Sequence, residues 1–436
     1  MKQWKVEFDE KLTAPQDAVK RVKSGDRVYL GTCTSVAYSL CEALGERQDE
    51  LENVTLTCSQ VNYPLKIMSG NNPNAFTVCT YFMGAQERNM LGMGLTDYIS
   101  VHLSQVDIWC RETMPPDVVF FEVSEPDANG FMSYGASGVA LHTYLKEKAR
   151  TIILEVNKNV PYVFGEDNLI HVSEADLIIE SDRPIFEKHS VEVTPEIKTI
   201  SEYLIDQIPD GACLQLGIGG VADAVGYGLN NKNDLGAHTE LLTEAMVELM
   251  KEGVINNSRK SFMPGKTVAS FSMGTKKMYE FINNNPNVYF MPFPKVNRPD
   301  IIMKNDNMIS VNTAMAVDIF GQVCADSIAG RQYSATGGQV DFVRGAQLSK
   351  GGKSFIALTS SFEHKTKGHQ SRIVSRLPMG SMVTTPRSDV QYVVTEYGCV
   401  NLKKLTMKDR VRAMISLAHP EDRPALIADA KEMGMY

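Results

Sequence analysis

The chain has 436 residues, more than one hydrophobic core usually serves, so two domains are expected. Hydrophobic residues make up 43% and charged residues 22%, the balance of an ordinary globular enzyme rather than a fibrous or disordered chain. The formal net charge of -8 argues against a nucleic-acid partner, because phosphate binding needs a basic face, although main-chain amides and a few Lys or Arg can still hold an anionic ligand.

No apolar run approaches the length of a bilayer span, and the N-terminal MKQWKVEFDEKL has no apolar core of a signal peptide. The expectation is a cytoplasmic protein with no membrane partner. The eight cysteines (33, 41, 58, 79, 110, 213, 324 and 399) form no CxxC pair, so reduced, mostly buried thiols are expected. The eight histidines show no ligand spacing such as HExxH, so no metal is expected.

Taken in chain order, the elements repeat. Residues 13–31, TAPQDAVKRVKSGDRVYLG, open with Thr and an early Pro, a helix start. Apolar Ala18, Val19 and Val22 follow at helical spacing, Gly25 is a natural left-handed stop, and Val28-Tyr29-Leu30 reads as a strand ending at Gly31. Val118–Phe121 and Thr151–Val156 are continuous apolar runs that suit buried parallel strands, and Ala175–Ile179 is a third.

Residues 194–217, TPEIKTISEYLIDQIPDGACLQLG, then repeat the opening: Thr-Pro, Ile197, Ile200, Leu204 and Ile208 at helical spacing, Gly211, and the strand Cys213–Leu216. The strand again ends in a glycine six residues after the first one. Ser354–Leu358 and Val390–Val394 are the corresponding later runs. Strands alternating with helices define an α/β class with mostly parallel sheets, and the ordered recurrence of helix, cap, strand and glycine points to two related domains. The charged segment IFEKHSVEVTPE places the boundary, giving domains 1–188 and 189–436.

The chemically distinctive stretch is Gln215-Leu216-Gly217-Ile218-Gly219-Gly220-Val221-Ala222. Glycines after a strand and before a helix let backbone N–H groups approach a phosphate, or the oxyanion that develops on a thioester carbonyl. The same residues satisfy the dinucleotide pattern G-x-G-x-x-A, and Glu240, 18 residues after Ala222, falls near the spacing of a ribose-binding acid. The polar approach Asn230–Glu240 weighs against the apolar second strand that a nicotinamide-dependent oxidoreductase needs. A tight strand-to-helix turn with no ligand is the third reading. Glu240 itself precedes the amphipathic Leu241–Met250 and reads either as a helix-start glutamate or as a covalent nucleophile.

The combination of Gln215-Leu-Gly-Ile-Gly-Gly220, Leu235-Gly-Ala-His-Thr-Glu240 and Gly337-Gly-Gln-Val-Asp-Phe-Val-Arg-Gly-Ala346 resembles the acetyl-CoA hydrolase/transferase family. The resemblance runs through the whole chain: Asp127-Ala-Asn-Gly130 with Ser133-Tyr-Gly135, Leu154-Glu-Val-Asn157, Val394-Thr-Glu-Tyr-Gly398 and Ala418-His-Pro420. It implies a class I CoA-transferase with two similar CoA-transferase-type (NagB/RpiA-like) α/β domains and an active site between them. Its butyryl-CoA:acetate and 4-hydroxybutyrate members imply a short-chain acyl-CoA and acetate as partners. Coenzyme A is then substrate and covalent intermediate, with no tightly bound cofactor, and a homodimer is the expected assembly.

The resemblance assigns Glu240 the covalent role, Gly217, Ile218, Gly219, Gly220 and Val221 the CoA loop and oxyanion hole, and Gly338 and Met315 further CoA contacts. The chain departs from the family's common Asp-Gly after the catalytic motif, with Glu244-Ala245, and carries Thr32 at the tip of the first-half strand, read as a wall of the acyl pocket. His238 is read as structural because the anhydride chemistry moves no proton. Arg344, Lys350 and Lys353 are CoA-phosphate candidates whose default is solvated surface. An acyl-CoA hydrolase using the same glutamate is the nearest alternative.

Overall fold

The computed structural model describes residues 2–189 and 192–436. Ser190 and Val191, inside the expected boundary segment, lie outside the described residues. The chain forms two compact units, one drawn from Met1–His189 with Val268–Val296, the other from Ser190–Thr267 with Asn297–Tyr436. Residues 189–436, expected as one domain, are divided: Val268–Val296 return to the first unit, a tertiary arrangement that no composition shift announces.

The first unit is built on seven parallel strands: β1 (Arg27–Thr32), β2 (Val54–Ser59), β3 (Phe76–Thr80), β4 (Thr96–Tyr98), β5 (Val118–Val123), β6 (Thr151–Asn157) and β7 (Leu177–Ser181). Their order is β7-β6-β5-β1-β2-β3-β4. The apolar runs at β5 and β6 are almost wholly buried because a parallel sheet is covered on both faces. Leu30, Leu40, Leu56, Phe120 and Ile153 join one core on this sheet.

The main sheet of the second unit draws on β8 (Cys213–Leu216), β9 (Gly236–Leu242), β10 (Met308–Thr313), β11 (Lys353–Ala357), β12 (Tyr392–Thr395) and β13 (Gly398–Asn401). Their order is β13-β12-β11-β10-β8-β9, and only the β12–β13 pair is antiparallel. In each unit the strand after the echoed helix is central, with the next strand in sequence on one side and a later strand on the other: β1 between β2 and β5, β8 between β9 and β10. Such a switch in strand order opens a crevice at the carboxyl ends of the strands.

The echo is visible residue by residue. Gly25 and Gly211 both take left-handed φ, 83° and 76°, ahead of their strands. The second-half helix α1 (Pro195–Asp206) is capped as read, with the Thr194 hydroxyl accepting from the Ile197 amide and Ile200 and Leu204 buried. The first-half helix is shorter, Pro15–Ala18 followed by a tight turn over Val19–Arg21, and its cap is Ala14 rather than Thr13.

One local expectation is corrected. Glu240 does not start a helix; it lies in β9, whose parallel register with β8 pairs Cys213 with Gly236 and Leu214 with Ala237. The polar run ends at Asp234, and Gly236–Thr239 are buried. Sheet pairing outweighs the weak strand propensity of Gly-Ala-His-Thr. After the helix α2 (Gly220–Tyr227), the next helix, α3 (Glu244–Lys251), begins only past β9, with the Thr243 hydroxyl accepting from the Met246 amide.

Candidate active site

Three adjacent parallel strands, β9, β8 and β10, bring sequence-distant groups to one edge of the second unit. Glu240 lies near the carboxyl end of β9. The glycine loop leaves β8 directly and runs into the helix α2 (Gly220–Tyr227). Met315 lies just past β10. A fourth element arrives from outside the sheet: helix α4 (Gln339–Leu348), for which Gly338 is the cap residue. Gln339 Nε2 donates to the Thr313 carbonyl at 2.9 Å, tying the start of α4 to the end of β10.

The glycine loop rests on a buried polar base. Ser310 Oγ donates to Gln215 Oε1 at 2.7 Å, and Asn312 Nδ2 reaches the same oxygen at 3.2 Å. The Gly217 amide donates to the Val311 carbonyl at 2.9 Å. Above that base Gly219 has φ 119° and ψ 178°, a conformation essentially restricted to glycine, and Ile218 is exposed at the loop tip while Val221 is buried. The loop therefore turns its amides at a helix start with one apolar side chain beside them.

Glu240 keeps some surface as a residue, but its carboxyl end is closely enclosed. Asn297 Nδ2 donates to Glu240 Oε2 at 2.6 Å. A methyl group placed on Gly338 would come within 1.8 Å of Oε2 and 2.3 Å of Asn297 Nδ2, so the carboxylate is seated against the main chain at the head of α4. Burial pushes the Glu240 carboxyl up to about 7; the Asn297 hydrogen bond opposes the rise, and Asp341 in the first turn of α4 adds to it. Such an environment yields a carboxylate near neutrality that is poorly solvated and more reactive than a surface glutamate. Asn297 Oδ1 is buried with no partner, an unmet acceptor beside the carboxyl.

Glu240, Gly338 and the glycine loop thus converge on one strand edge with Met315, whose amide is held by the Cys324 carbonyl at 2.8 Å. Other candidates are engaged elsewhere. Arg344 pairs with Asp389 at 2.8 Å, Lys353 donates to Gln207, and Lys350 is solvated near Asp306. His238 is buried edge-on to Phe262, in keeping with a structural side chain. The Thr32 hydroxyl is buried in the first unit, 3.0 Å from the Tyr81 hydroxyl. Asn297 was missed by sequence reasoning: it is 57 residues from Glu240, and nothing around it in Lys295-Val-Asn-Arg-Pro marks it.

The β8–loop–α2–β9 order with an acid near the end of β9 meets the topology of the dinucleotide reading, so the polar approach to Glu240 no longer argues against it. Comparison with known proteins separates the two. The acetyl-CoA hydrolase/transferase N-terminal domain profile matches residues 1–187, and its C-terminal domain profile matches residues 274–430. The chain belongs to the acetyl-CoA hydrolase/transferase family, and it is an enzyme that acts on CoA.

Within that family it is 40% identical to the 4-hydroxybutyrate coenzyme A transferase of Clostridium kluyveri, over 99% of both chains. It is 38% identical to the butyryl-CoA:acetate CoA-transferase of Anaerostipes caccae, over 99% of this chain and 98% of that one. The crystal structure of RipA from Yersinia pestis superposes over 100% of both chains with a TM-score of 0.93 at 35% identity. Among the described residues no helix is long and apolar enough to cross a membrane, and all eight cysteines are free.

Proposed function

We propose that the protein transfers CoA between a short-chain acyl-CoA and acetate, with Glu240 as the covalent nucleophile. The observation that supports this most is the seat of Glu240: a carboxyl raised to about 7, gripped by Asn297 and pressed against Gly338 beside a glycine loop. The names of the relatives from Clostridium kluyveri and Anaerostipes caccae supply the acyl class.

In this reading a Glu240 oxygen attacks the thioester carbonyl carbon, the C–S bond breaks, and CoA leaves as thiolate. The tetrahedral oxyanion is stabilised by the amides of Gly217–Val221. The thiolate then attacks the Glu240 carbonyl of the acyl-glutamyl anhydride and expels the donor carboxylate, leaving a glutamyl-CoA thioester. Acetate reverses the sequence. Every charge released is taken up by the next leaving group, so no general base is needed, and His238 stays out of the chemistry. The kinetics are ping-pong. Gly338 and Met315 flank the CoA path.

The test is mass spectrometry of protein treated with butyryl-CoA and then borohydride, which reduces a glutamyl thioester. A mass change on the Glu240 peptide is expected; an active preparation with that peptide unmodified removes the assignment. A parallel incubation with butyryl-CoA and acetate, without borohydride, separates transfer from hydrolysis: acetyl-CoA should form, whereas release of free CoA alone would mark a hydrolase.

A further inference from the structure

The Ala418-His-Pro420 motif takes no part in the chemistry above, yet the fold surrounds its histidine with other metal-ligating groups. His419 lies in the connection between the helices Met407–Ser416 and Arg423–Glu432. His369 comes from the second strand of the hairpin Ser361–His364/Gly368–Ser371. A ligand atom each from His369, His419 and Glu421 lie within 4.8 Å of one another, and this is the one such group found among the described residues. The two imidazole rings are 4.9 Å apart, centre to centre.

Two more carboxylates flank His369, one at each ring nitrogen. Asp422 oxygens lie 3.0 and 3.2 Å from His369 Nε2, and Glu363 lies 3.8 Å from His369 Nδ1. The frame is held from behind. Arg423 lies over the Tyr397 ring at 5.2 Å and donates to the main-chain carbonyls of Ala418 and Ser416, which fixes the loop that carries His419. Its charge is thereby spent on carbonyls, so three carboxylates surround two imidazoles.

We propose that His369, His419 and Glu421, with Asp422 in support, bind a divalent first-row transition ion such as zinc, joining the hairpin to the C-terminal helix. Two imidazoles with a carboxylate are a borderline-hard donor set that suits Zn, Ni, Co or Cu and not Mg or Ca. In a tetrahedral zinc shell neighbouring ligand atoms are ~3.3 Å apart, given bonds of about 2.0–2.1 Å. The 4.8 Å span closes by rotation of side chains that still have surface, Glu421 the most exposed of them. Asp422 on the second imidazole nitrogen is the usual partner that orients a histidine ligand.

The metal-stripped full chain is titrated with zinc by calorimetry, with metal counted after dialysis. One saturable zinc per chain is expected, at least ~10-fold weakened in His369→Ala and in His419→Ala. Zinc should also protect His369 and His419 of the unaltered protein from carbethoxylation by diethyl pyrocarbonate, read by peptide mass spectrometry. The second readout needs no variant to fold. Absence of saturable binding, binding unchanged in both variants, or full labelling of both histidines under saturating zinc would overturn the site. None of these residues belongs to the Glu240 site, so this outcome is independent of the CoA-transferase reading.

Discussion

In the proposed mechanism Glu240 attacks as an anion, and a carboxyl held up near 7 then makes the rate depend on pH in a defined direction. The kcat/KM should rise with pH through about 7 as Glu240 loses its proton. Asn297 favours the anion through its 2.6 Å bond, so Asn297→Ala should move that midpoint upward. It should also lower kcat by roughly 10–100-fold, because the nucleophile loses its orientation. A pH–rate series on both proteins checks this; an unmoved midpoint would leave Asn297 a packing residue. The same shift costs stability. A folded-state value above the unfolded one means the native state binds the extra proton, so its contribution is present at low pH and lost as pH rises from about 4.5 through 7. Glu240→Gln stays neutral throughout. It should be inactive, match the wild type near pH 4.5, and exceed it by roughly 1–3 kcal/mol above pH 7, where the wild type carries a poorly solvated charge. Urea melts at the two pH values measure the difference.

At the scale of elements, two glycines on this edge are constrained for opposite reasons, and substitution should separate them. Gly219 has open space around it but a φ of 119°, so Gly219→Ala strains the loop backbone without a clash. The expected cost is about 1–3 kcal/mol, with a raised KM for the acyl-CoA. Gly338 has an ordinary φ of -97°, but a methyl there would strike the carboxylate of Glu240. Gly338→Ala should fold yet lose most of kcat, because displacement of the proposed nucleophile by even ~1 Å costs two orders of magnitude. Steady-state kinetics showing the same KM–kcat split for both would contradict this division. The contrast also marks what sequence could carry. The glycine loop is a local pattern bounded by a strand and a helix, and it lies where the spacing put it. The Gly338 contact joins residues 98 positions apart, and no local pattern encodes it. The strand status of Glu240 was hidden for another reason: Gly-Ala-His-Thr is buried by its neighbours rather than by its own apolarity. The Asn297–Glu240 bond and the approach of His369 to His419 are hidden for the same reason as the Gly338 contact.

For the whole molecule, the duplicated plan was legible because each half repeats helix, glycine, central strand and crossover in one order, and each repeat buries its central strand. The limits of the units were not, because Val268–Val296 crosses back through contacts that no composition shift records. Those contacts are specific. The pair Tyr289–Phe164 lies in parallel register, and the Glu166 amide donates to the Phe290 carbonyl at 2.9 Å. The Asn284 amide donates to Tyr162, and the Phe293 amide to Ala140. The Tyr279 hydroxyl donates to the Phe186 carbonyl at 2.9 Å, and Lys295 pairs with both Glu166 and Asp167. Each hydrogen bond contributes about 1 kcal/mol net, and buried groups left unpaired cost about 1–3 kcal/mol each. Their combined loss is comparable with the ~5–15 kcal/mol that stabilises a whole domain. A fragment cut at residue 188 should therefore fail to melt cooperatively and should be digested rapidly by protease. Joining residues 268–296 to its C-terminus through a flexible linker should restore a sharp transition and resistance to digestion. A fragment of residues 1–188 that melts as cooperatively as the extended one would show that the first unit is complete without the returning segment.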